Sequence, residues 1–143
     1  KEITTEGGIN LKKNINKIRK IILKFKKKKI RTSLFINPNL KDVKIAKQLA
    51  ADCIELHTGK ISNLVKLNKN YNYEYNKIRK CCILAQKIGL EVHAGHGLDY
   101  KTATILSKLK QIEEFNIGHF IIGEAILHGI KNTIKRFKKI INK

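Results

Sequence analysis

Ile54-Glu55-Leu56-His57-Thr58-Gly59 is the stretch on which the reading of this chain turns. Two apolar residues flank a carboxylate in a short run, which reads as a buried strand over residues 53–57. The polar residues and the Gly that follow mark the strand's end. Alternation along a strand puts Glu55 on the same side as Cys53 and His57. A carboxylate on a buried strand is costly unless it is paired or functional. Function is the favoured reading of Glu55, and a structural ion pair is the other. His57 and Thr58 read as residues that order the following loop.

The same arrangement recurs downstream in Ala94-Gly95-His96-Gly97-Leu98 and Asn116-Ile117-Gly118-His119. Each segment places Gly beside His or Glu where a strand gives way to a helix. Between and around them the apolar spacing alternates in kind. Leu11, Ile15, Ile18, Ile22 and Phe25 recur at helical spacing, so residues from about 10 to 28 form an amphipathic helix. Residues 31–36 are a buried strand, ended by Asn37-Pro38-Asn39. Val43, Ala46, Leu49 and Ala50 line the next helix. Residues 58–72 are polar and Asn-rich, which predicts a long loop with one helical turn at most. Ile78, Cys81, Ala85 and Ile88 mark a helix that Gly89 stops. Residues 90–94 form a strand. Asp99 caps a helix whose inner face is Ala103, Leu106, Leu109 and Ile112. Residues 115–118 form a brief strand. One long helix then runs from about 120 to 141, with Ile122, Ala125, Ile126, Ile130, Ile134 and Phe137 inward.

Strand and helix alternating about four times predict an α/β protein with a parallel sheet and right-handed crossovers. No linker divides residues 1–143, so a single domain is expected. Four such units are half of a (β/α)8 barrel, which as a whole takes about 250 residues. The chain carries no Met, and Lys1 to Gly8 contains no signal-peptide core. The N-terminus therefore reads as an internal cut, with the first barrel half missing or supplied by another chain.

In parallel sheets the chemistry gathers at the carboxyl ends of strands. Free N–H groups at a helix N-terminus suit phosphate, and Gly lets it approach. Gly7-Gly8, Gly95, Gly97 and Gly118-His119 all stand at such junctions. His96, between two Gly residues, is presented rather than packed, and suits general acid–base work near neutral pH. His93, three residues earlier, is expected on the opposite side in a structural role. Thr5 and Glu6 precede the first Gly pair. The Thr5 hydroxyl either holds a substrate oxygen or caps the helix. No metal-ligand spacing, P-loop, dinucleotide fingerprint or nucleophile triad is present.

The charge is large: 31 basic against 11 acidic residues give +20. Only Arg19, Arg31, Arg79 and Arg136 are Arg, and aromatic residues are 6% and not interleaved with the basic runs. Specific nucleic-acid readers favour Arg forks and aromatic platforms. A drifted, Lys-rich solvated surface is the better reading, and a basic nucleic-acid-binding protein is the alternative. No run of about 18 apolar residues suggests a membrane span. Cys53, Cys81 and Cys82 have no metal spacing, and an odd count without a secretory signal suggests reduced thiols in a cytoplasmic protein.

Taken together, Thr4-Thr5-Glu6-Gly7-Gly8, Ser33-Leu34-Phe35-Ile36, Ile54 to Gly59, Ala94 to Leu98 and Asn116 to His119 resemble the C-terminal part of the pyridoxine 5′-phosphate synthase family. The order and spacing of the motifs also fit, over essentially the whole chain. The resemblance implies a (β/α)8 barrel that assembles into higher oligomers and needs no metal or organic cofactor. It implies condensation of two phosphorylated small molecules, 1-deoxy-D-xylulose 5-phosphate and 3-amino-2-oxopropyl phosphate, with release of phosphate and water. By motif, His96 is the proton donor and Glu55 a transition-state stabiliser. Thr5 contacts the deoxyxylulose phosphate, and Gly97, Gly118 and His119 hold the aminoacetone phosphate. The family commonly has Asn at the positions of His93 and Asp99, and Asp at Asn37 and Asn39. Phe120, Gly123 and Glu124 replace a segment that is more often small and carries Arg. The first barrel half supplies the family's other acid–base groups, so the 143 residues alone are expected to be inactive. A non-functional remnant of such an enzyme is the further alternative.

Overall fold

Four short strands lie side by side, all parallel and in chain order: β1 (Ser33–Ile36), β2 (Cys53–His57), β3 (Glu91–Gly95) and β4 (Ile112–Asn116). This is a computed structural model, and it describes residues 7–142. Among the described residues seven helices precede, connect and follow the strands: α1 (Ile15–Lys27), α2 (Leu40–Gln48), α3 (Gly59–Lys66), α4 (Asn72–Lys87), α5 (Tyr100–Leu106), α6 (His119–His128) and α7 (Ile130–Ile141). Strand, helix and parallel strand in unbroken sequence order are the architecture of half a (β/α)8 barrel.

One sheet face is apolar and covered. Leu34, Ile36, Ile54, Leu56, Val92 and Ala94 pack with Val43, Ala46, Ile78, Cys82, Ala85 and Leu106 of the crossover helices. Ile36, Ile54 and Leu56 have no accessible surface, and each such side chain contributes about 1.5–3 kcal/mol through burial. The opposite face carries Phe35, Glu55, His57, Glu91, His93, Glu114 and Asn116. This split is set by the two-residue period of the strands, and it places the polar groups away from the helices.

Local signals explain three of the boundaries. The Asn39 side chain accepts the Lys41 N–H at 2.8 Å and starts α2, and Asp99 accepts the Thr102 N–H at 2.7 Å and starts α5. Gly89, at φ 69°, ends α4 as expected. Burial pushes the thiols of Cys81 and Cys82 up to about 11 and about 12, as for inert apolar fillers.

Four expectations need correction. Helix α1 begins at Ile15, because the Asn10 side chain accepts the Lys13 N–H and holds a turn ahead of it. The segment after Thr58 is not a loop: α3 forms there and buries Ile61, Ser62 and Val65, and α4 begins at Asn72. Strand β4 starts at Ile112, because α5 ends at Leu106 and a turn closes with Ile112 N–H to Leu109 O at 3.0 Å. The long final helix is two helices, broken at Gly129 with φ 74° and ψ 144°. Of its expected inward face, Phe137 is buried, but Ile122, Ile126 and Ile130 are 63%, 81% and 53% exposed.

Candidate active site

The loops leaving β2, β3 and β4 meet around a cleft of about 680 Å³. Its wall includes Gly59, Ser62, Lys66, His96, Gly97, Asn116, Gly118, His119 and Phe120. His96, Gly97, Gly118 and His119, all expected as site residues, are brought together here.

The His96 loop has an unusual backbone. His96 itself has φ 77°, and Gly97 follows at φ 74°. The left-handed region is ordinary for Gly but costs a residue with a Cβ roughly 1–2 kcal/mol. Thr58 holds the loop in that shape. Its side chain is fully buried, and its hydroxyl lies 2.8 Å from the carbonyl oxygen of Gly95 and 2.7 Å from that of His96. The Thr58 N–H also donates to Gly95 O at 2.8 Å. The loop-ordering role expected of Thr58 is thus visible in its bonds. The His96 ring then stacks on the His57 ring at 4.7 Å between centroids and 26° between planes. Phe35 supports His57 from its other neighbour, at 5.4 Å.

Glu55 does not form part of the cleft wall. It adjoins it through Asn116, whose Nδ2 donates to Glu55 Oε2 at 2.9 Å. Gly95 sits against the same carboxylate: a Cβ at Gly95 would collide with Glu55 Oε1. Glu55 is half-buried, and its carboxylate accepts this bond from a neutral amide. Asn116 was not singled out by sequence reasoning. The signal available was its place in the Asn116-Ile117-Gly118-His119 motif, two residues before Gly118.

His93 stands differently from expectation. It is the register partner of Glu55 and lies on the same sheet face, 6% exposed. Its Nε2 is 2.8 Å from Glu91 Oε1, and its Nδ1 is 3.6 Å from Glu114 Oε1. Alternation lasts only to Gly95; the left-handed turn at His96 breaks the parity on which the expectation of an opposite side rests. Glu91 is held below the usual carboxylate range by its bond to Arg31 at 2.7 Å and then by that to His93.

Gly8 lies at the end of β1, where its N–H donates to Asn37 Oδ1 at 3.3 Å, and it is not in the cleft wall. Thr5, with Glu6, lies outside the described residues. Helix α6 begins immediately after Gly118, which makes no side-chain cap, so the first-turn N–H groups adjoin the cleft at Gly118 and His119. With Lys66 in the wall, the cleft offers an anion both backbone donors and a cation.

Comparison with known proteins gives consistent results. A family model described as "Pyridoxal phosphate biosynthesis protein PdxJ" matches residues 1–143. A pyridoxine 5′-phosphate synthase of Pelagibacter ubique is 69% identical over 143 residues, which is 100% of this chain and 60% of that protein. Those of Sulfurihydrogenibium sp. and Zymomonas mobilis are 40% and 42% identical, covering 98% and 99% of this chain and 57% and 54% of their own lengths. The chain therefore spans 60% or less of the length of these relatives.

Proposed function

The chain belongs to the PdxJ family, and we propose that it forms the C-terminal part of a pyridoxine 5′-phosphate synthase, with the cleft at the ends of β2, β3 and β4 as part of its active site. The observation that carries this reading is the convergence of His96, Gly97, Gly118 and His119 on one cleft, with Glu55 adjoining it through Asn116. The substrates are those the family resemblance implies, 1-deoxy-D-xylulose 5-phosphate and 3-amino-2-oxopropyl phosphate.

The roles are those the family resemblance implies, and the settings of the described residues support them. Gly118 and His119, at the start of α6, take a phosphate on backbone N–H groups, with Lys66 nearby as a counter-charge. His96 stands in the wall with its backbone clamped by Thr58, and it delivers a proton to the departing oxygen as the ring closes. Glu55, oriented by Asn116, stabilises positive charge that develops on the condensing amine. Thr5 contacts the deoxyxylulose phosphate. The work of the site is proton transfer and anion positioning, which these side chains perform without a cofactor.

The relatives are longer than the matched part, so this activity is assigned to the complete polypeptide; the 143 residues by themselves are proposed to be inactive. Among the described residues no helix is long and apolar enough to cross a membrane. We place the protein in the cytoplasm, as one domain within a barrel that assembles with copies of itself.

The test is direct. The complete polypeptide is incubated with both phosphorylated substrates, and pyridoxine 5′-phosphate and inorganic phosphate are measured together. Equal release of the two supports the reading. Neither product from a folded protein would refute it.

A further inference from the structure

We propose that Phe120 is a positioning residue for the phosphate-binding end of the site: its ring clasps the first turn of α6 to the helix that leaves the His96 loop. This rests on the synthase reading above and extends it to a side chain that reading does not use.

The problem it solves is visible in α6. That helix buries none of its residues. Ile122, Ile126 and Leu127 are 63%, 81% and 76% exposed, so the helix is held through its half-buried face, of which Phe120 is the residue nearest the cleft. Gly118 supplies no side-chain cap, and His119 is exposed. Yet Gly118 and His119 are the groups whose placement decides whether a phosphate meets its donors.

Phe120 anchors the first turn. Its ring meets Tyr100 edge-on, at 5.0 Å between centroids and 86° between planes. It meets Phe137 in the same way, at 5.9 Å and 84°. Phe137 is 3% exposed, and its ring lies 4.5 Å from that of Tyr100. The Arg136 guanidinium sits 4.0 Å from the Tyr100 ring centroid and adds a cation–π contact. Three rings thus join α5, α6 and α7.

The chain order gives the cluster its consequence. Tyr100 is the first residue of α5, directly after the capping Asp99 and three residues after Gly97. Phe120 directly follows His119. The Tyr100–Phe120 contact therefore ties the exit of the proton-transfer loop to the exit of the phosphate loop, across the cleft that both border. A hydrocarbon ring moves no proton, and Phe120 holds the donors of the phosphate, which is remote from the reacting atoms, so its effect falls on binding.

The experiment is a comparison of Phe120→Ala and Phe120→Tyr with wild type in the complete polypeptide, at equal folded fraction by far-ultraviolet circular dichroism. Steady-state synthase kinetics and isothermal titration with inorganic phosphate are measured for each. Losing two ring pairs is expected to raise both the KM for 3-amino-2-oxopropyl phosphate and the Kd for inorganic phosphate about tenfold. The kcat is expected to stay within about twofold, and Phe120→Tyr to restore wild-type values. Should Phe120→Ala not fold, Tyr100→Leu severs the same contact from the other side and carries the same expectation. Unchanged KM and Kd in the Ala variant would overturn the proposal. So would a loss confined to kcat, or a Tyr variant as weak as Ala. A wild type that binds phosphate in a Phe120-dependent way but makes no product would refute the synthase reading and leave the clasp standing.

Discussion

The hydroxyl of Thr58 lies 2.7 Å from the carbonyl oxygen of His96, and this part-buried contact holds a non-glycine residue at φ 77°. A β2 loop thereby sets the shape of the β3 loop that presents His96. Replacing Thr58 by Val keeps the volume and removes the hydroxyl. The Gly95 carbonyl retains the Thr58 N–H as donor, but the His96 carbonyl loses its hydroxyl partner. We expect a loss of about 1–3 kcal/mol in urea unfolding. Synthase activity should fall with it, and Thr58→Ser should retain both.

The strain at His96 gives a prediction in which two substitutions part. His96→Ala and His96→Gly both remove the imidazole, so both should lower kcat by about 10²–10⁴-fold. Only Gly relieves the left-handed backbone. The Gly variant should therefore be more stable than the Ala variant by about 1 kcal/mol, by thermal or urea unfolding. Equal stabilities would mean that the backbone at residue 96 is not held at positive φ in solution.

Gly95 and Glu55 are packed so closely that a methyl group at residue 95 would displace the carboxylate. Gly95→Ala should cost about 1–3 kcal/mol in stability as overpacking. It should also break the Asn116–Glu55 bond and lower kcat/KM by about 10²-fold, since a small misplacement at a reacting centre is expensive. Nuclear magnetic resonance of the Asn116 side-chain amide would report that break independently of turnover.

Glu74 predicts a pH dependence. Burial pushes its carboxyl up, but Lys60 at 2.6 Å and Lys77 at 3.3 Å outweigh that and hold it below the ordinary carboxylate value. A group whose folded pKa is depressed adds stability above its unfolded pKa of about 4.3 and loses it as pH falls through the folded value. Wild type should exceed Glu74→Gln in stability at pH 7. The gap should begin to close below about pH 5 and be gone once the folded carboxyl is protonated. A gap that persists unchanged at pH 2 would show that the ion pairs are not its source.

The excess of Lys predicts binding that salt abolishes. Duplex DNA should associate weakly at low ionic strength, without sequence preference, and be released by about 200 mM salt. A fluorescence-anisotropy titration over a salt series measures this. Tight, sequence-dependent binding near physiological salt would restore the nucleic-acid reading that composition disfavours.

Much of the fold and part of the site were legible in local pattern. Alternation around Glu55 gave β2, and Asp99 and Gly89 act as the caps that their residue types suggest. Helix α3 was not legible, because its inward set of Ile61, Ser62 and Val65 is short and lies among Asn and Lys. The periodicity over 120–141 could not reveal that Gly129 breaks the helix, nor which apolar face would find partners. Gly97, Gly118, His96 and His119, picked out by their place at strand ends, line one cleft. The His57–His96 stack, the Asn116–Glu55 bond and the true side of His93 depend on distances between segments and on a backbone reversal, and no local pattern encodes either.

The central claim is that a phosphorylated substrate binds in the cleft bordered by Gly97, Gly118 and His119. The most direct measurement is backbone amide mapping by nuclear magnetic resonance of the complete polypeptide titrated with 3-amino-2-oxopropyl phosphate. Saturable shifts centred on Gly97, Gly118 and His119, weakened by His119→Ala, are the predicted result. Shifts confined to the Lys-rich stretches 26–29 and 135–139, with those three amides unmoved, would contradict it.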